Sequence, residues 1–245
     1  MGHLLDSLAL HNVTTVSHDA LGNLYLSTAD GALMKLNKQL VVEQNHSSVY
    51  IPRLTSLEAA QMLKVFTFYQ NSQQFQFFDR FLTPSPTNTI KTKMPSHFSA
   101  ATLSNDQMIW LYDDTHLQLI KYNPILEEVI LKIDIQYFLP VNAQVKALKE
   151  YGNRLYLWQN NELLVFDFLG NLIQKLPVDI SKPFSFYENQ LYYSEGTQVC
   201  GYDLSTMQQK RYSFPLSQEI RFVIRIESHF FLFTKDQLKV FEFEP

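Results

Sequence analysis

Residues 152–167 read GNRLYLWQNNELLVFD. Gly152-Asn153 leads into RLYLW, and Asn160-Asn161 leads into ELLVFDF. Two short strands rich in aromatic and branched residues, joined by a tight Asn-rich turn, form a β-hairpin, because Asn and Gly reach the left-handed conformations such turns need. The same phrase recurs along the chain. Gly22-Asn23 precedes LYLST and Ala29-Asp30-Gly31 precedes ALMKLN; Asn105-Asp106 precedes QMIWLY and Asp113-Asp114-Thr115 precedes HLQLIKY. Glu188-Asn189 precedes QLYYS and Glu195-Gly196 precedes TQVCGYDL; Glu227-Ser228 precedes HFFLFT and Lys235-Asp236 precedes QLKVFEF. A degenerate copy, LKVFTFY followed by QFQFFDRF, lies between the first two.

The first strands of these six hairpins begin near residues 23, 63, 107, 153, 190 and 229. A spacing of roughly 40 residues is that of one propeller blade. Flanking segments supply two more strands in most copies. An apolar one precedes the hairpin (VTTVS, FSAATL, QVKALKE, FSFYE, IRFVIRI), and a more polar one follows it (QLVVEQ, EEVILKI, LIQKLPV, MQQKRYSF). The expected fold is therefore an all-β, six-bladed β-propeller of four-stranded antiparallel blades, a single domain over 1–245. Blades are expected near 11–43, 54–90, 98–133, 144–177, 184–214 and 220–243. The last takes its outer strand from residues 4–10, which closes the ring beside Leu238–Phe243 and hides a sheet edge. Two stacked β-sandwiches would not explain the even repeat. SLEAAQMLKVF at 56–66 reads as a short helix capped at Ser56. LTPSPTNTIKTKMPSH at 82–97 reads as a long connection between packed units.

Composition narrows the function. Twenty Lys+Arg stand against 24 Asp+Glu, a net charge of -4 with no basic run, which is a poor footprint for nucleic acid. Seven glycines leave little from which to build a phosphate cradle, and one cysteine excludes a disulfide framework and a multi-cysteine zinc site. No apolar stretch is long enough for a transmembrane helix. MGHLLDSLAL is not a signal peptide, and Asp6 spoils an acylation start.

Few residues point to chemistry. His18-Asp19, the one acid-adjacent histidine pair, reads as a solvated turn, and no two of the seven histidines have ligand spacing. Asp30, Asp113 and Asp114 fall in hairpin turns on one face. Calcium is the ion such hard oxygens would suit, but turn-forming is the better reading. Ser194 is at a hairpin tip, not in a nucleophile elbow. Nothing selects a catalytic pair among Glu58, Asp79, Asp134, Asp167 and Asp203. Asp79, Asp167 and Asp203 recur after the third strand and read as turn acids. Cys200 reads as a small buried residue. Trp110, Trp158 and Tyr25 share a place in their repeats and are expected to stack between blades. No catalytic, cofactor-binding or metal residue is assigned.

SHDALGNLYLSTADGALMKLN, at 17–37, resembles the opening of exported β-propeller proteins of Bacteroidota, with their D-x-x-G-N-x-Y phrase. Met62–Tyr69, closed by Phe78-Asp79, resembles their second blade, without its proline. More distant NHL-type propellers share G-N-x-Y. The resemblance implies a lipoprotein or periplasmic protein, located in the periplasm or at the outer membrane, with its leader outside this chain. The expected function is a noncatalytic scaffold that binds another envelope protein or a glycan through face loops. The competing expectations are a hydrolase or lyase acting on a sugar or lactone at an axial pocket, with calcium, and a structural subunit of an outer-membrane assembly.

Overall fold

The computed structural model describes residues 2–47, 54–60 and 64–243. The chain opens with β1 (His3–Ala9). Blade 1 follows as β2 (Val13–His18), β3 (Leu24–Thr28), β4 (Ala32–Leu36) and β5 (Val42–Ser47). Blade 2 is β6 (Ser56–Glu58), β7 (Val65–Tyr69), β8 (Gln74–Phe78) and β9 (Asn88–Thr89). Blade 3 is β10 (Phe98–Leu103), β11 (Ile109–Asp113), β12 (Gln118–Asn123) and β13 (Glu128–Asp134). Blade 4 is β14 (Val145–Tyr151), β15 (Arg154–Gln159), β16 (Glu162–Phe166) and β17 (Leu172–Leu176). Blade 5 is β18 (Ser185–Tyr187), β19 (Gln190–Glu195), β20 (Gln198–Asp203) and β21 (Gln209–Ser213). Blade 6 is β22 (Phe222–Ile226), β23 (His229–Phe233) and β24 (Gln237–Glu242), with β1 as its outer strand.

Each blade is a four-stranded antiparallel sheet in simple meander order, and the ring closes as expected. His3 pairs with Glu242 and Ala9 with Gln237. The hairpin of 152–167 has the two-residue turns its sequence calls for. Tyr151 faces Arg154 across Gly152 (φ 54°) and Asn153 (φ 59°), and Gln159 faces Glu162 across Asn160-Asn161.

Alternation along each central strand builds the core. In β3, Leu24 and Leu26 point toward blade 6 while Tyr25 points toward blade 2. In β11, Ile109 and Leu111 pack on blade 2, and Trp110 and Tyr112 on blade 4. Both faces are buried, so these strands read as continuous apolar runs. The buried apolar residues described fall into one cluster at each inter-blade interface. Tyr25, Trp110 and Trp158 each face the next blade, as expected. However, Trp110 pairs with Thr102 near the start of its strand and Trp158 with Ala147 near the end of its own, so they share a face but not a rung.

Two expectations fail in blade 2. Ser56–Glu58 is its inner strand, paired with Phe66–Phe68, and Ala59-Ala60 is not helical; residues 61–63 lie outside the described residues. Pairing with β7 across the sheet outweighs the helix propensity of Glu and Ala. The stretch 82–97 is not purely a connection, since Asn88–Thr89 is the outer strand and Pro84 bridges Phe78.

All six inner strands run the same way along the axis. The front face is defined as the one where they end; it carries the turns between first and second and between third and fourth strands. The back face carries the hairpin tips and the blade-to-blade connections.

Candidate functional site at the front face

Near their front ends, four consecutive inner strands place a polar residue opposite an aromatic one. The pairs are Ser17 with Tyr25, Glu58 with Phe66, Thr102 with Trp110, and Lys149 with Tyr156. The aromatic ring packs against the next blade, so the polar side chain beside it points the same way and meets the next inner strand. Ser17 Oγ accepts from the Ala59 N–H at 3.0 Å. Glu58 accepts from the Leu103 N–H at 2.9 Å and the Thr102 hydroxyl at 2.8 Å. Thr102 Oγ1 accepts from the Glu150 N–H at 3.1 Å. Lys149 carries only donors, and its Nζ donates to the Phe184 carbonyl at 3.2 Å. These bonds tie blades 1 through 5 around the axis. Beyond them, Arg225 Nη1 donates to the Tyr192 hydroxyl, and its guanidinium lies 5.3 to 5.7 Å from the Tyr187, Tyr192 and Phe230 rings.

Packing around the axis shifts the titration of this group. Burial, opposed by the Leu103 N–H and Lys149, pushes the Glu58 carboxyl up to about 7. Burial lowers Lys149, with Glu58 opposing. His18, at the end of β2, is held down at about 4 by burial and by Lys149, against the pull of Asp19. An acid poised near neutrality, an amine and a neutral imidazole thus converge on one mouth. Structural networks perturb titration as active sites do. Here both Glu58 oxygens are engaged in blade-to-blade bonds.

His18-Asp19 is not a solvated turn. Asp19 is only 6% exposed, and its carboxylate accepts from the Leu21 and Asn23 backbone N–H groups at 2.9 Å and from the Tyr25 hydroxyl at 3.2 Å. The Asn23 side-chain amide donates as well, at 2.8 Å, and these four N–H or O–H donors offset the cost of burial. Asp30, Asp113 and Asp114 do not converge. Asp30 is exposed on blade 1, and buried Asp113 accepts from the Thr115 N–H and meets His116 Nδ1 at 2.8 Å. Asp114 meets His97 Nδ1, also at 2.8 Å. Each histidine thus has its own carboxylate, His116 within its turn and His97 across the strand pair. Among the described residues no three metal-ligating side chains form a group that could hold an ion. Ser194 is buried and donates to the Ile220 carbonyl at 2.9 Å, and Cys200 is buried in β20. Asp134 accepts from the Gln136 N–H.

The turn acids behave as read. Asp79 accepts from the N–H groups of Phe81 and Thr83 at 2.8 Å, Asp167 from Leu169 and Asn171, and Asp203 from Ser205 and Thr206. Asn37 and Asn123 do the same in blades 1 and 3. In each, the residue two positions after the Asx stands at the tip of a front-face turn. In three neighbouring blades that tip is a large apolar residue, namely Phe81 (54% exposed), Ile125 (84%) and Leu169 (78%). In blades 1 and 5 it is Gln39 and Ser205. Blades 2 to 4 therefore carry an apolar arc at the rim of the front face, outside the polar axis.

These features define a six-bladed β-propeller with an axial polar ring and an apolar rim arc. No protein-family profile and no curated protein matches the chain. Among solved structures it is similar to virginiamycin B lyase from Staphylococcus aureus, with TM-score 0.61 and 10% identity over 95% of this chain and 80% of that one. It is also similar to a streptogramin B lyase, with TM-score 0.60 and 12% identity over 94% and 78%. BamB from Moraxella catarrhalis matches with TM-score 0.59 and 9% identity over 100% and 98%. At these identities the likeness is one of fold.

Proposed function

We infer that this protein is a noncatalytic binding scaffold that docks a protein partner on the front face of its propeller. The observation that carries this reading is the arc of Phe81, Ile125 and Leu169, the same turn position in three adjacent blades, each more than half exposed. Their backbone N–H groups are satisfied by the side chains of Asp79, Asn123 and Asp167, so the tips are held rigid and lose little freedom when covered. Burying three such side chains is worth on the order of 5 kcal/mol before association costs. The setting we assign is the bacterial cell envelope; its support is the resemblance of residues 18–36 and 62–82 to exported propellers.

Photo-crosslinking in the source cells tests the reading. A benzophenone side chain placed at Ile125 or Leu169 is expected to yield a discrete protein adduct, and one at Val141 on the back face none. Equal labelling from both faces, or none at either front-face position, would refute it.

A second reading, a hydrolase or lyase acting on a sugar or lactone at the axial mouth, has one observation in its favour: the gathering of Glu58, Lys149 and His18 there. Its signature is turnover of a substrate by the intact protein, abolished in Lys149→Met. The folds of the two lyases it resembles also support it, although identities of 10–12% bring over no residue roles.

A further inference from the structure

On the back face a groove of about 770 Å³ opens between blades 3 and 4, where the chain crosses from β13 to β14. The crossing segment supplies one wall with Tyr137 and Phe138, and blade 4 supplies the other with Gln159, Asn161, Glu162 and Lys175. Tyr137 is 85% exposed, and Phe138 stands edge-on to Phe166 at 5.8 Å, so one aromatic ring is anchored and the other faces solvent. Glu162 and Lys175 form an ion pair and cancel each other's charge. Gln159 is 1% exposed. Its Nε2 lies 3.5 Å from Glu162 Oε2, while its Oε1 has no donor.

A buried acceptor left without a donor is costly, and such groups in native proteins call for an explanation. The terminal torsion of a glutamine is broad and soft, so this amide can turn into the groove to meet a donor brought by a ligand. The ligand's character follows from the walls. A net-neutral lining selects against strong charge. Exposed ring faces select for a patch of C–H groups. The amides of Gln159 and Asn161 and the Glu162 carboxylate select for closely spaced hydroxyls. At Gln159 and Glu162 a peptide finds no free strand edge to extend, since β15 and β16 are paired on both sides; the free edge of blade 4 is that of β17, its outer strand.

We propose that this groove is a saccharide-binding site for a neutral oligosaccharide, independent of the front-face docking surface. Saturation-transfer NMR on the intact protein, with maltohexaose, cellohexaose and chitohexaose as probes, tests it. Transfer from aromatic protons to at least one sugar is expected. Tyr137→Ala, a substitution at an exposed position that leaves the fold intact, should weaken binding about five-fold or more by removing a ring contact. Gln159→Leu should weaken it about ten-fold. Phe81→Ser on the front face should change nothing, which separates this site from the docking surface. The proposal is overturned if none of the three sugars shows transfer, if transfer survives Tyr137→Ala undiminished, or if an Asn/Gln-rich peptide binds the groove while the sugars do not.

Discussion

Replacing Glu58 with Gln probes the axial ring through its dependence on pH. Glu58 titrates at about 7 in the folded chain against an ordinary 4.5. Between these values the folded protein keeps a proton that the unfolded chain has released, so stability falls as pH rises through this window. The interval corresponds to about 3 kcal/mol, and partial access of water along the axis reduces this to about 1–2 kcal/mol. His18 works in the opposite sense. Its folded value of about 4 lies below the ordinary 6.5, so it costs stability as pH falls from 6.5 to 4. The two windows overlap, and the wild-type curve alone would hide both. The difference between wild type and Glu58→Gln removes the shared His18 contribution. Glutamine still offers an acceptor to the Leu103 N–H but turns an amide donor toward Thr102 Oγ1, which already accepts from the Glu150 N–H. Urea unfolding is the assay. At pH 5 the wild type should be the more stable by about 1 kcal/mol, as expected for one impaired hydrogen bond. By pH 8 this advantage should vanish or reverse. A difference that stays constant from pH 5 to 8, or that widens with pH, would refute the assignment of a proton to buried Glu58.

Three further outcomes follow from the same geometry. His18→Asn should flatten the loss of stability between pH 6.5 and 4, measured by thermal melts across that range, because the neutral amide takes no proton. Gly170→Ala should destabilise by about 2 kcal/mol or more, since the residue has φ 84° and a Cβ there would lie 2.2 Å from Ile133 Cγ2; chemical denaturation reads this directly. Deleting residues 2–10 should lower the melting temperature and bring concentration-dependent aggregation visible by light scattering, because it bares the whole edge of β24 and opens the ring.

The ring was legible because its signals are local. Two-residue turns such as Gly152-Asn153 dictate hairpins by backbone sterics, and six copies at an even spacing leave few other arrangements. Blade 2 was the least legible. Its inner strand is three residues long and runs into Ala59-Ala60, so propensity spoke for a helix where partner strands decide. Its outer strand is two residues in a proline-rich stretch. The axial ties were hidden because Ser17, Glu58, Thr102 and Lys149 are chemically unlike and form no repeated string. The signal that could have exposed them is the aromatic residue opposite each: aligning Tyr25, Phe66, Trp110 and Tyr156 brings the four into register. The turn role of Asp79 and Asp167 was readable from their recurrence. The apolar tips two residues later were not, since exposure depends on which neighbours the fold brings near. His97 meets Asp114 only through strand pairing across 17 residues, beyond the reach of any local motif, whereas His116 meets Asp113 three residues away within one turn.

Native mass spectrometry of the protein purified gently from its source cells tests the docking assignment most directly. The wild type should carry a second protein in fixed stoichiometry. The Phe81→Ser, Ile125→Ser, Leu169→Ser triple variant, with an unchanged melting temperature, should emerge without it, and Lys149→Met at the axis should retain it. A complex that survives the triple substitution, or that is lost with Lys149→Met alone, would contradict the account.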